Sequence, residues 1–319
     1  MFCSISEACE LFFTDRDTYC SDATVANYKN TLRYFVEFII MRKNLPAEEI
    51  DITTIDLYDL KAYSIYLKNK DKNDNHTYVR SEAGVKISSR TRKDYLKDAK
   101  AFFNFLVENG SLQESPAERL KLPRVSAQPI EPLTNDEVCI MDDCYKVNTK
   151  FGCRNLAIIH CLLDEGMRSG EVQRLKISDV HFDSDYIVIR NSKGGKGRVI
   201  PMARIVKKYL SRYLENNRPP VTHDFVFCTD TGAPLTSNSI KCLFDRLKVK
   251  SGVNRVYPHL LRHTFATSFI MGGGSVEFLR VYMGHSSIET TQKYLHIANN
   301  MRFCTNVYRL DKCFLKQTY

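Results

Sequence analysis

The stretch Pro258-His-Leu-Leu-Arg-His-Thr-Phe-Ala-Thr267 reads as the opening of a helix. A proline at the first helical position has a helical φ already set, and the donor it lacks would be idle there. On that helix His259 and Arg262 stand three residues apart and project from one side, with His263 beside them at four. By itself the pattern fits a capping histidine and a surface arginine equally well. Working outward, Met283-Gly-His-Ser-Ser287 fits a glycine that ends one helix and a serine that starts the next. Ser286 with Glu289 spells a capping box, and Tyr294 follows one to two turns later in Thr290-Thr-Gln-Lys-Tyr-Leu-His296. The chain has 17 tyrosines, so position alone does not single out this one.

Two further motifs lie upstream. Arg168 sits in Glu165-Gly-Met-Arg-Ser-Gly-Glu171, just past a helix expected over residues 155–165. Its guanidinium is a permanently charged planar fork that matches two phosphate oxygens, although an ion pair with Glu171 explains it as well. Lys193 lies in Ser192-Lys-Gly-Gly-Lys-Gly197, between runs that read as short strands at residues 185–190 and 198–202. Glycines there let the backbone approach a phosphate, and Lys196 and Arg198 add positive charge nearby. Such surroundings lower a lysine's pKa toward general-acid duty, while a solubilising turn is the plainer account.

Taken together and in this order, these motifs resemble those of the tyrosine recombinases, the phage-type integrases that include the Xer recombinases. The resemblance covers residues 134–298. It implies a mainly α fold with a small β-sheet: a helical core-binding domain followed by a mixed α/β catalytic domain. It implies that Arg168, Lys193, His259, Arg262 and His285 assemble a phosphate site, with Tyr294 as nucleophile, Glu171 supporting Arg168 and His263 as a structural neighbour. Double-stranded DNA is the implied partner, held by four protomers on two duplexes. No metal and no small-molecule cofactor are implied. The tail, residues 295–319, carries Phe303, Val307, Leu310 and Phe314, which suit docking on a neighbour or packing on their own domain. Departures are Met167 where leucine is common, Gly170 before Glu171, and the loose run Gly272-Gly-Gly274. None removes an implied catalytic side chain. No additional arm-binding domain is expected ahead of the helical bundle. A type IB topoisomerase and a non-catalytic DNA-binding regulator are the rival readings.

Length and composition agree with this without requiring it. The 319 residues allow two domains, and 43% hydrophobic with 26% charged residues is ordinary for a globular protein. A net charge of +9 permits a polyanionic partner. No apolar run approaches the roughly 20 residues that cross a bilayer, and residues 1–10 do not resemble a secretory signal, so no membrane association is expected and a cytoplasmic location is. The 11 cysteines are scattered without any Cys-x-x-Cys pair, which reads as reduced thiols filling core gaps. Even Cys153 with His160 and Cys161 falls on an apolar helix, so no zinc site is expected.

Pro116, Pro123, Pro129 and Pro132 favour extended backbone. They place a linker at residues 118–131, between a helical DNA-clamp domain at 1–117 and a catalytic domain at 132–319. In the first domain, Tyr28, Leu32, Phe35, Val36, Ile39 and Ile40 repeat at helical spacing, as do Tyr95, Ala99, Phe102, Phe103 and Leu106. Helices are also expected over residues 6–13 and 55–67, with a long polar loop over 68–86. Lys29, Arg90, Arg92, Lys93, Lys97 and Lys100 are candidate DNA contacts, and a solvated helix face accounts for each equally.

Overall fold

The computed structural model describes residues 3–72, 82–125, 130–190 and 197–302, in two units spanning residues 1–127 and 128–319. The first unit holds α1 (Ile5–Asp17), α2 (Asp22–Lys43), α3 (Leu57–Asn69) and α4 (Ser89–Glu108). Capping boxes open two of them: Ser4 with Glu7 starts α1, and Asp56 with Asp59 starts α3. The core is strongly aromatic. Phe12 meets Phe102 and Phe105 edge to face, and Phe35 meets Tyr63 and Phe103 likewise. Leu120 is buried in the same core and Leu122 packs against it.

One expectation fails here. Part of the polar stretch expected as a loop is paired backbone: β1 (Asp71–Lys72) and β2 (Glu82–Lys86) run antiparallel, and Lys86 Nζ lies 2.6 Å from Asp71 Oδ1. Strands this short and polar have no apolar alternation for a sequence reading to detect.

The second unit is helical around a small sheet. Its helices are α5 (Asn135–Asp143), α6 (Lys150–Leu163), α7 (Ser169–Arg174), α8 (Arg204–Asn216), α9 (Ser237–Ser251), α10 (Pro258–Met271), α11 (Val276–Met283) and α12 (Glu289–Arg302). The sheet is an antiparallel order of β3 (Val180–His181), β4 (Tyr186–Ile189) and β5 (Arg198–Pro201). β3 is too short to have been expected. Helix α6 is apolar on nearly every side from Leu156 to Leu163, and it forms the centre of the unit, packed on α8 and α10. Helix α12 in turn packs on α10 and α11. Both units are mainly α; the small sheet of the second was implied by the resemblance, and that of the first was not.

Thr134 and Glu137 form the expected capping box. At α12 the cap differs from expectation, because Ser287, and not Ser286, accepts the Glu289 N–H, at 3.2 Å. Cys9, Cys153, Cys161 and Cys228 are buried free thiols, while Cys304 and Cys313 lie outside the described residues. No helix among the described residues is long and apolar enough to cross a membrane.

Candidate active site

Arg262 is the innermost charge of the site. One turn into α10, it is 5% exposed, not a surface residue. Its guanidinium donates to Gly166 O, to Met283 O at 2.7 Å and to His285 Nε2 at 3.2 Å. A guanidinium has only donors, so His285 Nε2 must offer a lone pair. Its proton then sits on Nδ1 and is donated to the buried Thr291 Oγ1 at 2.9 Å. That fixes both the tautomer and the ring plane. Burial first, then Arg262 and Arg168, push His285 down to about 3, so the imidazole is neutral. Burial and the Arg168 charge also push Arg262 down to about 9, which leaves it charged at neutral pH.

Arg168 reaches the same place from the chain reversal between α6 and α7. Gly166 makes that reversal with φ +56°, and a Cβ there would stand 2.4 Å from the Phe265 ring. Arg168 is the N-cap of α7, and its backbone N–H donates to Glu171 Oε2 at 2.8 Å. The side chain donates to Glu171 Oε1 at 3.0 Å and to Gly284 O at 2.8 Å. Gly284 closes α11 in the left-handed region, and a Cβ would lie 3.3 Å from Arg198 and 3.5 Å from Arg168. Arg168 and Arg262 each keep N–H groups beyond those counted here, since a guanidinium carries five.

Arg198 corrects the sequence reading. Expected to contact DNA, it is turned inward with its side chain 8% exposed. Two amino groups grip both oxygens of Glu171, at 2.7 and 2.9 Å, and Nε donates to Tyr282 O at 2.5 Å. A buried carboxylate needs such partners, and Glu171 therefore braces two arginines, not one. Burial works against its charge, but Arg198 and the Arg168 N–H hold it down at about 2.

Tyr294 is 5% exposed, with its ring centroid 4.9 Å from that of His263 and 6.4 Å from that of His285. Burial raises the phenol pKa, while the Arg262 and Arg168 charges pull it back. His263 donates Nε2–H to Ile130 O at 2.7 Å, and burial keeps it neutral. His259 is exposed on the first turn of α10 and does not cap it, since Tyr257 is the N-cap. Desolvation, then Arg262, Arg168 and Lys293, lower its pKa. Lys193 and Lys196, on the connection from β4 to β5, lie outside the described residues, as do Phe303, Val307, Leu310 and Phe314.

The structure thus brings Arg168, Glu171, Arg262, His263, His285 and Tyr294 together, with His259 at the rim. The sequence reading missed Arg198 as a brace, Thr291 as the acceptor that orients His285, and Lys293, whose ammonium lies 5.2 Å from the Tyr294 ring centre. In the first unit, Arg90 faces Asp94 at 3.6 Å, Lys100 donates to Glu118 O, and Lys29 lies over the Phe13 ring. Arg92 and Lys93 are half-buried and Lys97 is exposed.

The phage integrase family profile matches residues 133–301, and the phage integrase SAM-like domain profile matches residues 5–122. The chain belongs to the phage integrase family. It is 28% identical over 285 residues to the tyrosine recombinase XerC of Pediococcus pentosaceus, covering 87% of this chain and 88% of that one. It is 27% identical over 280 residues to the tyrosine recombinase XerD of Listeria monocytogenes, covering 86% and 88%. Its fold matches a Tn1549 transposon integrase in complex with a circular intermediate DNA, with a TM-score of 0.69, 21% identity and 90% and 94% coverage. It also matches the XerH site-specific recombinase bound to a palindromic difH substrate, with a TM-score of 0.68, 22% identity and 95% and 84% coverage. The enzyme is a tyrosine-type, site-specific DNA strand transferase.

Proposed function

We propose that Tyr294 is the nucleophile of this recombinase and that Arg168 and Arg262 receive the scissile phosphate. The observation that carries this is the pair of guanidinium groups converging on a buried phenol, with donors left over. Attack of the Tyr294 oxygen on phosphorus makes a 3′-phosphotyrosyl link and expels the 5′-oxygen. The two arginines stabilise charge on the non-bridging oxygens, where preorganised donors contribute most. Lys193, on the connection between β4 and β5, protonates the leaving oxygen. His259, with its lowered pKa, holds the phosphate and takes up the phenolic proton, while His285, locked as a neutral imidazole between Arg262 and Thr291, holds the phosphate through the arginine it fixes.

The covalent link stores the bond, so an incoming 5′-hydroxyl from a second duplex reverses the step without ATP. Two such exchanges pass through a Holliday junction. Four protomers on two duplexes perform them, with the helical first unit as a DNA-clamp domain, in the cytoplasm. The XerC and XerD relatives and the recombinases seen on DNA support this reading of the partner.

Nicked duplexes drawn from DNA flanking the gene provide the test. Denaturing gels should show a protein–DNA adduct with the unsubstituted protein and none with Tyr294→Phe, while the variant still binds. An adduct that persists in the Phe variant refutes the assignment.

A further inference from the structure

Backbone carbonyls, more than carboxylates, hold the arginines of this site. Arg262 donates to Gly166 O and Met283 O, Arg168 to Gly284 O, and Arg198 to Tyr282 O. All four acceptors come from two short segments, residues 165–168 and 282–284. Besides the Arg168 donation to Gly284 O, Tyr282 Oη joins those segments directly, donating to Glu165 Oε2 at 3.1 Å. The other Glu165 oxygen accepts the Ala203 N–H at 2.6 Å, which ties in the start of α8.

Glu165 is 0% exposed, and no cation pairs with it among the described residues. Cys161 and Asp164 beside it on the end of α6 bring no positive charge, and Arg198 is committed to Glu171 and Tyr282 O. Burial pushes the carboxyl up to about 8. An uncompensated acid in a core costs more than an apolar side chain would. One of its two bonds ends on α11, which carries Tyr282 and Met283, and the other on Ala203, just past the strand that carries Arg198.

We propose that Glu165 and Tyr282 are positioning residues that set the spacing of the two carbonyl-bearing segments and, through it, the placement of Arg168 and Arg262 at the phosphate. This rests on the assignment of those arginines to the scissile phosphate. The Glu165–Tyr282 bond acts on the reaction step, where a misplacement of about 1 Å costs on the order of a hundredfold, and not on DNA affinity.

The test measures single-turnover adduct formation at saturating DNA, DNA affinity and melting temperature in five variants. Tyr282→Phe and Glu165→Leu break the same bond from opposite ends and should each slow the adduct by roughly tenfold or more, with affinity within about twofold. The double variant should be little slower than either, because the two act as a unit. Glu165→Gln keeps an acceptor for Ala203 and a hydrogen-bonding group for Tyr282, so it should stay near the unsubstituted rate. Tyr213→Phe is the control: it loses a buried bond to Cys228 Sγ of 3.4 Å in the same unit, and should lower melting temperature without slowing the adduct. Unchanged rates in Tyr282→Phe and Glu165→Leu, or equal slowing in Tyr213→Phe, would overturn the proposal. No adduct from the unsubstituted protein would instead refute the phosphate assignment beneath it.

Discussion

Arg33 and Arg90 of the first unit and Arg262 of the second are held in opposite ways. Arg33 faces Glu37 at 3.8 Å and Arg90 faces Asp94 at 3.6 Å, each one turn away on its own helix with both partners open to water. Pairs of that kind contribute little. Arg42 and Lys43 of the same unit instead close on the buried Asp59, at 2.6 and 2.8 Å. In residues 128–319, Arg262 is buried and bonds only neutral groups, two carbonyls and an imidazole. A buried charge bonded to neutral partners is short of an anion, whereas a solvated one already has water. The contrast separates the proposed phosphate site from a surface that is merely charged.

Arg262→Lys attacks the contrast where its effect is largest. An ammonium is a point charge that cannot serve Gly166 O, Met283 O and His285 from one plane and still face a phosphate. Adduct formation at saturating DNA should fall by about 10²–10³, the cost of losing one preorganised donor. A loss of less than tenfold would mean that the neutral partners, not an anion, account for Arg262.

Arg198→Met tests the brace. It strips Glu171 of a bidentate partner and should lower unfolding free energy by about 3–5 kcal/mol, the range for breaking a buried pair. The pH dependence has a definite sign. Glu171 is held at about 2 in the folded protein, below the ordinary glutamate value near 4.3, so its stabilisation is complete above that value and is lost as pH falls toward 2. Denaturant melts should therefore show the variant's deficit in full above that value and shrinking as pH falls toward 2. A deficit that stays constant through the acid range would remove Glu171 as the braced group.

His160 offers a braced cation away from the site. Its Nε2 lies 3.2 Å from Asp142 and its Nδ1 2.6 Å from Asp164, joining α5 to the end of α6. Burial opposes the charge, but the two carboxylates carry the pKa up to about 9. A raised folded pKa stabilises fully below the unfolded value near 6.5 and is lost as pH rises through 9. Denaturant melts of His160→Phe should show a deficit on the order of 2–3 kcal/mol at pH 6 that shrinks toward pH 10. A constant deficit would make His160 a packing residue only.

Legibility in the sequence follows the same division. Helices with strong caps were readable: Thr134 with Glu137 opens α5, and Pro258 opens α10. The motif residues were readable because their order is shared with a family, not because any one announces its role. What escaped was whatever depends on chain segments distant in sequence. Arg198 looked like one more basic residue of a hairpin until β5 brought it against Glu171, 27 positions earlier. Glu165 and Tyr282 are 117 positions apart, and nothing local marks either as half of a pair. β1 and β2 carry too few apolar residues to show a period of two.

The smallest expected effect concerns the first unit, where surface charge alone is ambiguous. Lys29 lies over Phe13 and Lys100 donates to Glu118 O, so Arg90, Lys93 and Lys97 on α4 are the better probes. Each cation that neutralises a DNA phosphate releases counterions and adds about 0.9 to the slope of log affinity against log salt. The triple alanine variant should therefore flatten that slope by roughly 2–3 if α4 lies along the backbone, with little change in adduct rate at saturating DNA. An unchanged slope would leave these residues as a solvated helix face. The first unit's DNA contacts would then have to come from another helix of the bundle.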